Sequence, residues 1–80
     1  DAAAANNLAI TLAKQGNLAE AAQSFEAALR VEPNFAEAHA GLARVLADQK
    51  KPDEAMRHYQ EAQRILKAQQ KAEGSGESKQ

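Results

Sequence analysis

Chemistry in this 80-residue chain would have to start from His39 and His58, its two imidazoles. A metal or a catalytic base needs partners, and they are missing here. The chain has no cysteine, so thiolate zinc sites and disulfides are excluded, and no acid is placed to orient either ring. His39 reads as a partly buried packing residue and His58 as a solvated one on a helix face. Ser24 falls in mid-helix, Ser75 and Ser78 in a polar tail, and no nucleophile motif surrounds any of them. Asp53 and Glu54 are sequence neighbours that point apart on a helix, so they cap rather than catalyse. There is no glycine-rich phosphate loop. The chain reads as a non-enzyme with no cofactor.

The elements that must carry these residues are helices. Ala, Glu, Gln, Lys, Leu and Arg dominate, and β-branched residues are sparse. The net charge is −1 with both signs interspersed, which lacks the basic stripe that nucleic acid requires. No apolar run approaches a membrane span, so no membrane contact is expected. The absence of cysteine fits a reducing compartment such as the cytoplasm. The chain starts at Asp1 rather than Met and reads as a cut piece.

Repeats organise the rest. Sliding the chain over itself by 34 residues puts Leu8 on Leu42, Ala9 on Ala43, Leu12 on Leu46, Ala13 on Ala47 and Gln15 on Gln49. The same shift pairs Glu20 with Glu54, Ala21 with Ala55, Phe25 with Tyr59, Ala28 with Ala62 and Arg30 with Arg64. Helices are predicted over about 2–15, 18–31, 35–49 and 52–72. Gly16 takes the left-handed turn after the first. Pro33 stops the second, and Pro52 starts the fourth. Ala21, Phe25, Ala28 and Leu29 face the core of the second helix, and Met56 is expected in the core of the fourth. GSGESKQ, residues 74–80, reads as a flexible polar tail.

The pattern resembles the tetratricopeptide repeat (TPR) family over about residues 2 to 69. Leu8, Ala9, Gly16, Ala21, Phe25, Ala28 and Pro33 carry the signature in the first copy; Leu42, Ala43, Leu46, Ala55, Tyr59 and Ala62 carry it in the second. The resemblance implies an all-α fold: two tandem helix-turn-helix units stacked as a short right-handed α-solenoid. One domain spans 1–73, with repeat one at about 2–35 and repeat two at about 36–69 with an extended last helix. Small residues at the crossings, Ala9 with Ala21 and Ala43 with Ala55, let each helix pair approach closely. Lys67 where a closing proline is usual, and Gln63 where Leu29 stands, suit a terminal repeat, so the piece is expected at the C-terminal end of a longer array.

In this family the first helix of each pair lines a concave groove for a peptide or protein segment. By that resemblance the groove carries Asn6, Asn7, Ile10 and Lys14, with Ala3 and Ala13, in the first copy. In the second copy it carries Glu37, Arg44 and Asp48, with Ala40 and Gly41. Side-chain amides could meet a peptide backbone and Arg44 a carboxylate. A chaperone-type carboxylate clamp is not expected, because Asn6, Ile10 and Gly41 stand where its residues would be. The implied function is a protein-interaction scaffold; the alternative is a structural or regulatory appendage of a larger enzyme, such as a bacterial glycosyltransferase or membrane protein. Ile65 and Leu66 lie beyond the last aromatic residue with nothing after them to cover both, so weak homo-association through this end is expected.

Overall fold

The computed structural model describes residues 1–74, with side chains described to Lys71. Four helices follow one another: α1 (Ala2–Lys14), α2 (Leu18–Val31), α3 (Ala36–Asp48) and α4 (Pro52–Gly74). Each boundary has a local cause. At the start of α1, the Asp1 carboxylate accepts from the Ala4 amide at 2.7 Å, satisfying one of the donors a helix N-terminus leaves free. The end of α1 closes with Asn17 N–H on the Leu12 carbonyl at 2.9 Å and Gly16 N–H on that of Ala13 at 3.0 Å. That pair of bonds requires a left-handed residue between them, and Gly16 supplies it with φ 83°.

The second hairpin makes the same turn without the glycine. Lys51 N–H reaches Leu46 at 2.9 Å and Lys50 N–H reaches Ala47 at 3.0 Å, with Lys50 itself at φ 65°. A side chain in this region crowds its own backbone, so Lys50 is mildly strained where Gly16 is not. Glu32, before Pro33, leaves the helical region with φ −136° and ψ 88° and ends α2. Pro52 opens α4, and Asp53 and Glu54 sit in its first turn.

The most extensive packing is α1 on α2 and α3 on α4; α3 also lies on α2 and touches α1 lightly. The chain is two antiparallel hairpins stacked through α2 and α3. Ala9, Ala21, Ala43 and Ala55 are all buried, as close helix crossings demand. Phe25 reaches from α2 onto α3, where a Cβ at Gly41 would lie 2.4 Å from its ring tip. Glycine inside a helix costs about 1 kcal/mol relative to alanine, and the ring of Phe25 is the reason for it here. Because α3 meets all three other helices, it buries the most: Ala36, Ala38, Leu42, Ala43, Val45 and Leu46.

Several expectations need correction. Met56 is exposed, as are Leu8 and Tyr59, because among the described residues no helix lies over those faces of α4 and α1. Ile65 is buried within its own chain and only Leu66 is exposed, so an end contact cannot use both. The antiparallel course of the hairpin brings Ile65 alongside the start of α3, where Ala36 is also buried. Helix α4 runs through Gly74, one residue into the expected tail; the rest of that tail, 75–80, lies outside the described residues.

Candidate functional site

A cleft of about 720 Å³ lies between α3 and α4. Glu37, Ala40, Gly41, Arg44 and Ala47 recur at helical spacing, so one face of α3 forms its first wall. Pro52, Ala55, Met56 and Tyr59 form the second wall on α4, and Ile10 reaches in from α1. The floor is apolar and the charges belong to Glu37 and Arg44. A smaller hollow of about 300 Å³ adjoins it across α1 and α3, lined by Ile10, Ala13, Lys14, Arg44 and Asp48 over Phe25, Gly41 and Val45. Ile10, Gly41 and Arg44 are common to both.

The residues expected in the groove divide accordingly. Ile10 and Arg44 stand at its centre, Lys14 and Asp48 in the smaller hollow, and Glu37 in the larger. Ala13 and Ala40 line one hollow each, whereas Gly41 serves mainly as the platform for Phe25. Asn6 is not a free contact. It is buried between the repeats, and its amide Nδ2 donates to Glu37 Oε1 at 3.3 Å. Its Oδ1 is buried with no protein partner among the described residues. Asn7 is exposed outside both hollows, and its backbone carbonyl accepts from Thr11 Oγ1 at 3.2 Å. Ala3 is exposed and lines neither.

Sequence reasoning missed the α4 wall. The signal was present: Phe25, which α3 covers, is followed one period later by Tyr59, an aromatic ring with a polar tip. It also missed that the histidines meet. His39 Nδ1 lies 3.1 Å from His58 Nδ1, and the rings stack with centroids 5.3 Å apart. Both are half-buried, so His58 is not the solvated residue expected. Along the antiparallel hairpin they stand one rung from the Ala43–Ala55 crossing, His39 four residues before Ala43 and His58 three after Ala55.

Hydrogen positions follow from the partners. The Pro33 carbonyl, 2.9 Å from His39 Nε2, can only accept, so that nitrogen carries a hydrogen. Of the two facing Nδ1 atoms, one donates and one accepts. Charging both rings would set two N–H groups against each other. Burial, and then the neighbouring His39, hold the His58 pKa below its ordinary value of 6.5, with Glu26 and Glu54 opposing and Arg57 reinforcing. On the exposed side of α4, Arg64 pairs with Glu61, and this hydrogen bond holds the Glu61 carboxyl below its usual range. So exposed a pair contributes little to stability. Among the described residues no three metal-ligating side chains converge, and no helix is long and apolar enough to cross a membrane.

Two stacked helical hairpins with an open cleft along one side define an α-helical repeat protein. The chain belongs to the tetratricopeptide repeat family: the model described as Tetratricopeptide repeat matches residues 1–72. No curated protein matches the chain. Repeats of this family generally mediate contacts between proteins and are typically non-catalytic.

Proposed function

We propose that this chain is a protein-interaction module that holds a peptide or protein segment along the face formed by α1 and α3. The observation that carries the reading is the pair of adjoining hollows, apolar at Ile10 and charged around it at Lys14, Glu37, Arg44 and Asp48. Apolar floor and placed charges are the usual division of labour in a binding site, the first for affinity and the second for orientation. Arg44 touches both hollows and is the natural partner for a segment carboxylate. Asn6 and Asn7 are set aside as contacts, the first because it is buried and the second because it lies outside the hollows.

A short-peptide library selected on the immobilised chain supplies the probe. Titrating its best peptide into isotopically labelled protein should shift the amide signals of Ile10, Lys14, Arg44 and Asp48. Arg44→Ala should weaken binding about ten-fold or more, as expected for a charged group at a site centre. Shifts confined to α2 would contradict the reading.

A further inference from the structure

His39 and His58 meet where the peptide groove does not reach. The hollow beside them, about 340 Å³ and open to solvent, is lined from α2, α3 and α4 and shares no residue with the two hollows of the groove. The first repeat has no equivalent, since Ala5 and Ser24 stand at the corresponding positions. We propose that the pair binds a divalent transition-metal ion that favours imidazole, zinc or copper, through Nδ1 of both rings, with water completing its shell.

Zinc holds imidazole nitrogens at about 2.0–2.1 Å, so two of them on a tetrahedral ion stand about 3.3 Å apart. The two Nδ1 atoms lie 3.1 Å apart while the ring centroids are 5.3 Å apart. The rings therefore converge on the edge that carries these nitrogens.

The tautomer of His39 also fits. A metal-bound histidine commonly gives its other ring N–H to a carbonyl, which orients the ring and leaves the coordinating lone pair bare. His39 Nε2 already donates to the Pro33 carbonyl at 2.9 Å, and that carbonyl takes no backbone partner among the described residues. Neutral His39 then presents an unprotonated Nδ1, and the hydrogen between the rings belongs to His58 Nδ1. Binding moves that hydrogen. His58 loses the Nδ1 proton to solvent and gains one on Nε2, so no proton is released overall and its Nδ1 lone pair turns to the ion.

The surroundings set the selectivity. Glu26 lines the hollow, and Glu54 lies four residues before His58 on the same face of α4. Arg30 in the hollow and Arg57 beside His58 oppose them, while Glu61, three residues after His58, is paired with Arg64. These charges nearly cancel, so the imidazoles and not the local field must hold the ion. Magnesium, which takes oxygen ligands, is disfavoured; zinc and copper suit imidazole. The ion would tie α3 to α4 one rung from the Ala43–Ala55 crossing and stabilise the second hairpin by mass action.

The test is zinc chloride titrated into the isotopically labelled chain at a pH where both rings are neutral, with magnesium chloride as control. Expected are one ion per chain by calorimetry, movement of the ring-nitrogen signals of both histidines, and a switch of His58 from the Nδ1–H to the Nε2–H tautomer. The melting temperature should rise with zinc and return when a chelator is added, and magnesium should change nothing. His39→Gln and His58→Gln should each weaken zinc binding about ten-fold or more, because one imidazole remains. The ring signals of the parent chain test the site even where a variant fails to fold. No response to zinc, movement of one ring alone, an equal response to magnesium, or undiminished binding in either variant would overturn the site. So would one ion per two chains with a zinc-linked dimer in sedimentation, since the ligands would then come from different molecules.

Discussion

The two repeats set one residue pattern in two different surroundings. Phe25 is 2% exposed and its counterpart Tyr59 is 51% exposed; Leu42 is 1% exposed and its counterpart Leu8 is 54% exposed. In each pair the buried member lies at the α2–α3 junction and the exposed member on α1 or α4, away from it. A repeat position therefore states what a side chain can pack against, and the stack decides whether that neighbour is present. The core of the described residues is built at the middle, where α2 and α3 meet.

That contrast should appear first in stability. Phe25→Ala should cost about 3–5 kcal/mol, the usual cost of removing a buried ring, whereas Tyr59→Ala should fall within about 0.5 kcal/mol of the parent. Urea unfolding followed by circular dichroism compares them directly. Equal losses would mean that Tyr59 is covered after all. The next largest effect concerns Gly41. Alanine is the better helix former, yet Gly41→Ala should destabilise by about 1–3 kcal/mol because its Cβ meets the Phe25 ring. A stabilised variant would show that the ring moves aside freely.

Much of this fold was legible in the chain. Gly16, Pro33 and Pro52 set helix boundaries to within a residue or two, because each acts through its own backbone. The alanines at the crossings were legible from the 34-residue shift. The fate of Leu8, Met56 and Tyr59 was not, since exposure depends on a neighbouring helix and not on the residue. Asn6 was misplaced because its exposure turns on the contact of α1 with α3, which the period alone does not fix. The histidine pair required the phase between α3 and α4, where one residue of slip would separate the rings.

The turns offer a smaller test of the same comparison. Lys50 occupies in the second hairpin the left-handed position that Gly16 occupies in the first. Lys50→Gly should stabilise the chain by about 1 kcal/mol, and Gly16→Lys should destabilise it by a similar amount. Thermal melts of the two variants would read this as shifts of opposite sign. Shifts of the same sign would remove backbone strain as the explanation.

Acid should act through the second repeat alone, where His39 and His58 replace Ala5 and Ser24 of the first. The folded pKa of His58 lies below the unfolded value, so the folded state binds fewer protons in that window. The contribution is full above about pH 6.5 and is lost as the pH falls through the folded value. The urea midpoint should drop between about pH 7.5 and about pH 5.5, and His58→Gln should flatten that drop. An unchanged drop in the variant would assign the acid sensitivity to other groups.

The central claim is that the stack and not the residue decides exposure, and Tyr59 can report on it alone, being the single tyrosine in a chain without tryptophan. Iodide quenching of its fluorescence should be efficient in the free chain. In a Phe25→Tyr, Tyr59→Phe variant the same fluorescence should resist the quencher, because the ring then lies between α2 and α3. A tyrosine already shielded in the parent chain, or equal quenching in the two chains, would contradict the account.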